Sequence, residues 1–281
     1  VMELFDYVSR INNERQQMGK KPFKPIIGCE LYVAPGAKED KKLGKHCKGY
    51  RLTVLAKNYQ GYKNLIKIVS NSWTDGFYMR PRTDHHDLEK YREGIIVLSG
   101  GIGSEVYSHV VSDDIAGLDA AIKWYQQTFG EDYYLELQRN VDYDLKSDTP
   151  SDLMLEQQRV NAVLMQKAKE SGVKVVATND VHYVAPEDLA AYNIQQCYAT
   201  GKTMDEFAET DILRFRWLTS RKHMCELFSD ILEAIANTMD IYNKIEFYDI
   251  RHAPIVPGIY IPNGFGNERR EKEDNYLEYL S

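Results

Sequence analysis

The chain has 281 residues, of which 43% are hydrophobic and 27% charged, and its formal net charge is −7. This length suits one large α/β domain or two smaller ones with a substantial core. No apolar run approaches the length of a membrane span, and the first residues lack the pattern of a signal peptide. The four cysteines form no CxxC pair, which indicates reduced thiols and a cytoplasmic protein. The acidic balance argues against a general electrostatic attraction to nucleic acid.

Short apolar runs alternate with amphipathic helical patterns along most of the chain. The opening VMELFDYVSRINNERQ has helical periodicity without a cap, so we expect the chain to begin inside an element. Asn58 suits the N-cap of the helix after RLTVLA, and Asp113 or Asp114 suits that of a later helix. Thr149 suits the N-cap of another helix, and Pro150 suits the first position of that helix. Strands are predicted in KPIIGCELYVA, RLTVLA, GIIVLSGG, DYYLEL and VKVVATND.

This alternation predicts parallel strands joined by crossover helices, hence an α/β barrel or a doubly wound sheet. After Tyr248 the composition changes to one rich in Pro, Gly and charge. We therefore expect one domain over residues 1–248. Residues 249–281 are predicted to form a linker and the start of a further module.

The strand ends present a candidate site. In parallel α/β folds, functional side chains gather where the strands end. Glu30 follows the apolar run PIIGC, and Asp180 and His182 follow VKVVATN. Two carboxylates and an imidazole suit zinc or manganese. Spacing alone leaves a second interpretation open, in which Asp180 caps a turn and His182 bonds a neighbouring backbone group.

Several ordered segments resemble one known family. The chain is similar to the polymerase and histidinol phosphatase (PHP) domain of bacterial DNA polymerase III alpha subunits over roughly residues 1–248. The resemblance implies a distorted seven-stranded (β/α) barrel whose first two motifs, a His-x-His pair and a Thr-Asp-His-Gly segment, would precede Val1. The segments that carry it are KPIIGCELYVAPG, LTVLAKNYQGYKNLIKIVS, GFYMRPR, IIVLSGG, YYLELQ, QRVNAVLMQKAKESGVKVVATNDVHYVAPEDLAAYNIQQC, TGKTM and MCELF.

The resemblance also assigns roles to the candidate site. Family members with an intact site bind up to three metal ions and act as phosphoesterases or 3′–5′ exonucleases. In members with an eroded site, the domain braces the polymerase and docks the proofreading exonuclease subunit. Glu30, Asp180 and His182 match metal ligands of the family. Arg51 stands where a histidine ligand is usual, and Gly101 stands where a cysteine is usual.

Arginine at a ligand position opposes metal binding. A guanidinium never loses its proton at working pH and has no lone pair to offer. About 4 Å from a divalent ion, at an effective dielectric constant near 20, it would cost on the order of 8 kcal/mol. We therefore expect Arg51 to neutralise Glu30 or Asp180 in place of a metal cluster, with no cofactor in this chain. A single residual zinc or manganese ion is the alternative.

Three functions follow. The first is a non-catalytic scaffold within a DNA-directed DNA polymerase, a nucleotidyltransferase whose catalytic carboxylates and magnesium would lie beyond Ser281. Its expected partners are the proofreading exonuclease subunit, other replicase subunits, the remaining polymerase domains and, through the parent protein, DNA, with no membrane. The second is a metal-dependent phosphoesterase or 3′–5′ exonuclease. The third, which overlaps the first, is an α/β binding module for a protein or nucleic acid. The acidic net charge favours protein partners, although the lysine-rich loop of residues 38–48 offers cations to a phosphate backbone.

Overall fold

The protein divides into two compact units. The structure, a computed structural model, describes residues 1–41, 48–139, 152–206, 215–253 and 260–280. One unit comprises Val1 and Glu3–Asp249, and the other comprises Met2 and Ile250–Ser281. No helix within the described ranges is both long enough and apolar enough to cross a lipid bilayer.

The first unit is an α/β domain, as predicted. Each of the five predicted strand segments contains a strand. The strands of the described residues are β1 (Gly28–Val33), β2 (Tyr50–Ala56), β3 (Ile95–Leu98), β4 (Tyr133–Gln138) and β5 (Lys174–Thr178). The helices are α1 (Met2–Gln17), α2 (Tyr59–Thr74), α3 (His85–Lys90), α4 (Glu105–Val111), α5 (Ile115–Phe129), α6 (Asp152–Ser171), α7 (Leu189–Thr200), α8 (Arg221–Leu227) and α9 (Leu232–Lys244).

The sheet is mixed, so the prediction of parallel strands throughout is wrong for its first half. The strand order is β1-β2-β3-β4-β5. β2 is antiparallel to both of its neighbours, whereas β3, β4 and β5 are parallel. An antiparallel pair can be joined by a loop, while a parallel pair needs a crossover, and the apolar pattern of the strands does not distinguish the two. As a consequence, the amino end of β2 lies beside the carboxyl ends of the other four strands.

The two faces of the sheet are buried differently. Successive side chains of a strand point to opposite faces. On one face, Val97, Leu135 and Val175 belong to the main core, to which α2, α4, α5 and α6 also contribute. On the other face, Ile96, Tyr134 and Val176 pack with Ile241 of α9 and Ile245 just after it. Toward the strand ends this second face becomes polar, and there it forms the candidate site.

Two of the predicted helix caps are confirmed. The Asn58 side chain accepts a hydrogen bond from Gly61 N at the start of α2. Asp114, rather than Asp113, caps α5 by accepting from Gly117 N. The predicted start at 149–150 lies outside the described residues.

The second unit contains the helix α10 (Arg269–Leu280). A short segment before the helix is held against it, because Asn275 Nδ2 donates to Phe265 O at 2.6 Å. The ring of Phe265 also meets that of Tyr276 edge to face, with centroids 5.0 Å apart. This local packing joins Phe265, in the predicted linker, to the segment that the sequence predicts to start a further module.

Candidate functional site at the strand ends

A polar pocket of about 290 Å³ opens on the second face of the sheet. It lies where the amino end of β2 meets the carboxyl ends of the neighbouring strands, which is why Arg51 at the start of a strand reaches it. Four of the five residues singled out from the sequence line it, and the fifth, His182, lies beside it. The lining residues are Glu30, Arg51, Thr53, Leu98, Gly101, Ile102, Glu136, Gln138, Thr178 and Asp180.

Strand register brings Arg51 to Glu30. Glu30 lies opposite Thr53 in the β1–β2 pair, and Arg51 precedes Thr53 by two residues, so the three side chains share one face. Arg51 Nε lies 3.6 Å from Glu30 Oε1. Both side chains are partly exposed, at 34% and 41%, so the pair contributes at most about 1 kcal/mol to stability. Its main effect is to put a fixed positive charge at the pocket.

A second arginine pairs with Asp180, and sequence reasoning missed it. Arg216 Nη2 lies 2.9 Å from Asp180 Oδ2, and both side chains are mostly buried. The backbone holds this arginine in place, because His182 N donates to Arg216 O at 2.7 Å. Arg216 follows residues 207–214, which the structure does not describe, and no sequence pattern ties it to the strand that ends before Asp180. The contact joins segments far apart in sequence, so only the fold reveals it.

Asp180 and His182 form a hydrogen-bonded pair. His182 Nε2 lies 3.1 Å from Asp180 Oδ1, and Tyr192 Oη lies 3.2 Å from His182 Nδ1. The imidazole thus bridges Tyr192 and Asp180, and Arg216 Nη1 also lies 3.4 Å from His182 Nε2. Asp180 has a φ of 46°, in the left-handed region that aspartate and asparagine tolerate better than most residues. This turn aims the carboxylate at His182 and Arg216.

The electrostatics of Asp180 favour its charged form. Burial alone would raise the pKa of this carboxyl group. The hydrogen bond from His182 and the charges of Arg216 and Arg51 outweigh burial and lower the pKa below its ordinary value. Asp180 is therefore a carboxylate neutralised by protein cations.

Glu136 is the most deeply placed acid of the pocket. It is 5% exposed. Its Oε1 accepts from Thr178 Oγ1 at 2.5 Å and Gln138 Nε2 at 2.9 Å, and its Oε2 accepts from Gly100 N at 3.1 Å. Burial raises the pKa of Glu136, and the negative charge of Asp180 adds to the rise. The donors hold the carboxyl group in place without supplying a full positive charge.

Gln138 fills the space beside Gly101. A Cβ atom on residue 101 would overlap the terminal amide of Gln138. That amide is fixed by its bond to Glu136 and by a longer contact of 3.4 Å with Thr178 Oγ1. Gly101 therefore contributes no ligand atom, and its neighbour occupies the volume that a cysteine side chain would need.

The residues present do not fit the metal cluster that the family resemblance implies. In the part of the chain that the structure describes, no group of three or more His, Cys, Asp and Glu side chains is placed to hold a metal ion. Two of the expected ligand positions carry Arg51 and Gly101, and Arg216 holds an oxygen of Asp180. The pocket is instead a network of ion pairs and hydrogen bonds.

The predicted lysine-rich loop is only partly described. Lys38 is buried, and its Nζ lies 3.2 Å from Glu39 and 3.3 Å from Asp87, so it is not available to a phosphate. Residues 42–47 of the same loop lie outside the described residues.

Comparisons with known proteins identify the family. A PHP domain profile matches residues 2–140. The chain is 40% identical over 267 residues to DNA polymerase III subunit alpha of Borreliella burgdorferi, covering 93% of this chain and 22% of that protein. It is 33% identical to the Chlamydia pneumoniae protein of the same name, covering 92% of this chain and again 22% of the relative. The chain thus spans about 22% of the length of these relatives. It belongs to the PHP domain family, in the form carried by DNA polymerase III alpha subunits.

Proposed function

We propose that this PHP domain supports DNA replication as a structural and docking part of a DNA polymerase III alpha subunit, and that it is not a hydrolase. One observation carries the proposal: arginines pair with the carboxylates at two of the family's ligand positions, Arg51 with Glu30 and Arg216 with Asp180. A divalent ion would have to displace both cations or tolerate their repulsion.

The activity proposed for the parent protein is DNA-directed DNA synthesis, a nucleotidyl transfer that uses magnesium. The relatives that the chain matches carry the polymerase name, which supports this assignment. The proposed partners are the proofreading exonuclease subunit, other replicase subunits and the remaining polymerase domains, and DNA is contacted through the parent protein. The proposed location is the cytoplasm, where replication takes place in bacteria.

For the complete domain we propose the seven-stranded barrel of the PHP family. The five-stranded sheet supplies an inner face that is apolar at one end and polar at the other, as a barrel interior with a site at its mouth requires. The strands that would close the barrel are not among the described residues.

The test is metal content and nuclease activity of the full-length protein. We expect elemental analysis after gel filtration to find no zinc or manganese in stoichiometric amount. We also expect no Mn²⁺-dependent 3′–5′ exonuclease activity that is abolished by Asp180→Asn. Two or more bound ions, or a nuclease activity that this substitution removes, would instead establish the metal-dependent phosphoesterase.

A further inference from the structure

The outer side of α2 exposes an apolar ridge. Tyr59, Ile66 and Trp73 are spaced seven residues apart, so they form one stripe along the helix, about 21 Å long at 1.5 Å per residue. They are 38%, 46% and 58% exposed, whereas the opposite side of the helix, including Leu65 and Ile68, is buried against the sheet. The core therefore does not account for these three side chains.

The turn after the helix extends the stripe with two more apolar side chains. Phe77 and Met79 are 45% and 56% exposed, and the ring of Phe77 stacks on Trp73 with centroids 5.5 Å apart. We call the surface formed by Tyr59, Ile66, Trp73, Phe77 and Met79 the aromatic ridge.

Hydrogen bonds from a buried arginine hold this turn in a fixed conformation. Met79 has a φ of 61°, an unfavourable backbone conformation for a methionine. The buried guanidinium of Arg82 donates to Gly76 O at 3.3 Å and to Lys38 O at 2.8 Å. Gly76 itself has no room for a side chain, because a Cβ atom there would overlap Arg82 O. The fold thus fixes a strained turn that exposes Phe77 and Met79, with the charged Asp75 next to them in the chain.

The charge beside the part of the aromatic ridge that lies on α2 is positive, while the exposed Asp75 follows the helix between Trp73 and Phe77. α2 contains Lys63 and Lys67 and no acidic residue. Lys63 Nζ lies 4.7 Å from the centroid of the Tyr59 ring, and Lys67 Nζ lies 5.5 Å from that of Tyr91. Neither lysine forms an ion pair with another residue of the described ranges.

We propose that the aromatic ridge docks an acidic amphipathic segment of a partner protein. Such a segment lays apolar side chains along the stripe and places carboxylates beside Lys63 and Lys67. The inference rests on the docking role proposed above and adds the surface and the chemistry of what it binds. Nucleic acid is the less favoured occupant, because phosphate binding depends on many cations and this helix offers two.

The test is site-specific photo-crosslinking in the full-length protein in living cells. A benzoylphenylalanine residue replaces Ile66, and the crosslinked residue of the partner is mapped by mass spectrometry. We expect the crosslink to fall in a segment with apolar residues at helical spacing and Asp or Glu in adjacent turns. K63E/K67E should lower the crosslink yield about fivefold, since it turns attraction into repulsion at the edge of the contact. K20E/K21E changes two exposed lysines at another place on the chain and should leave the yield unchanged.

Four results would overturn the inference. They are the absence of a crosslink at position 66, a crosslink to DNA, a crosslink to α2 of a second copy, and a crosslink to a segment without acidic residues. Binding of the exonuclease subunit by the same full-length protein is measured in parallel. If the subunit binds but position 66 does not crosslink to an acidic segment, the inference fails and the docking role stands. If the subunit does not bind, the docking role fails whatever position 66 contacts.

Discussion

The ion pair between Arg216 and Asp180 gives the sharpest test of how the pocket is stabilised. Replacing Arg216 by methionine keeps much of the side-chain volume and removes the positive charge. Asp180, whose side chain is 17% exposed, would then keep His182 as its closest hydrogen-bond donor. We expect the free energy of unfolding to fall, because the variant leaves a mostly buried carboxylate without its main cation.

The magnitude follows from the geometry. Two unit charges about 4 Å apart attract by about 4 kcal/mol at an effective dielectric constant of 20. Removing one partner of a buried pair costs about 3–5 kcal/mol. Since Asp180 retains some contact with solvent and with His182, we expect a loss of about 3 kcal/mol for Arg216→Met near pH 7. At about 3 °C per kcal/mol, Tm should fall by about 9 °C. Urea and thermal unfolding, followed by circular dichroism, measure both quantities.

The pH dependence identifies the cause. The pKa of Asp180 is lowered in the folded protein. A lowered carboxyl pKa gives stability that is fully present above the unfolded value, about 3.9, and is lost as pH falls through the folded value. The difference in stability between wild type and Arg216→Met should therefore be largest near neutral pH and shrink below about pH 4.

A double variant supplies the control. Asp180→Asn removes the negative charge, and asparagine tolerates the left-handed backbone at this position. Asp180→Asn combined with Arg216→Met should be more stable than Arg216→Met alone, with a coupling energy of about 2 kcal/mol. A loss below about 1 kcal/mol for Arg216→Met, a loss that does not change with pH, or a double variant that is less stable still would refute the reasoning.

Three further predictions follow. EDTA, zinc and manganese should each leave Tm of the metal-free chain unchanged, because a ligand raises Tm only if it binds the folded state; a saturable rise with either metal would contradict this. Gly61→Ala should lower the free energy of unfolding by about 2 kcal/mol, because its Cβ atom would overlap Gly94 O, whereas Gly36→Ala has open space and serves as the control in the same urea titration. Glu136→Gln removes the titratable carboxyl group. Because the pKa of Glu136 is raised in the folded protein, the stability of wild type relative to this variant should decline as pH rises above the unfolded value of about 4.3. A constant or growing difference would contradict a raised pKa.

Local signals in the sequence predicted the elements well. Apolar runs located the five strands, and Asn58 marked the start of α2, because both effects act within a few residues of the chain. The direction of β2 could not be predicted in this way. Parallel and antiparallel strands bury the same kinds of side chain, so the same apolar run suits either arrangement.

The same distinction between local signals and long-range contacts applies to the candidate site. Matching to a family motif drew attention to Arg51 and Gly101, and the structure places both at the pocket. It did not predict that the amide of Gln138 occupies the space beside Gly101, or that Arg216 pairs with Asp180. Both depend on contacts between segments that are distant in sequence. They also depend on the position of the end of a side chain to within about 1 Å, which no local sequence pattern determines.

The charges of the pocket explain why its acids differ. Glu30, Asp180 and Glu136 contribute three carboxyl groups, and Arg51 and Arg216 contribute two permanent cations. Each arginine lies at one of the two outer carboxylates, so among the described residues the innermost acid, Glu136, has hydrogen-bond donors but no paired cation. A buried carboxylate in that position is the one that gains most from holding a proton, in agreement with its raised pKa beside the lowered pKa of Asp180. The two ion pairs offset the charges of Glu30 and Asp180, and the raised pKa of Glu136 favours its neutral form. The net charge of the pocket can therefore approach zero with its own residues.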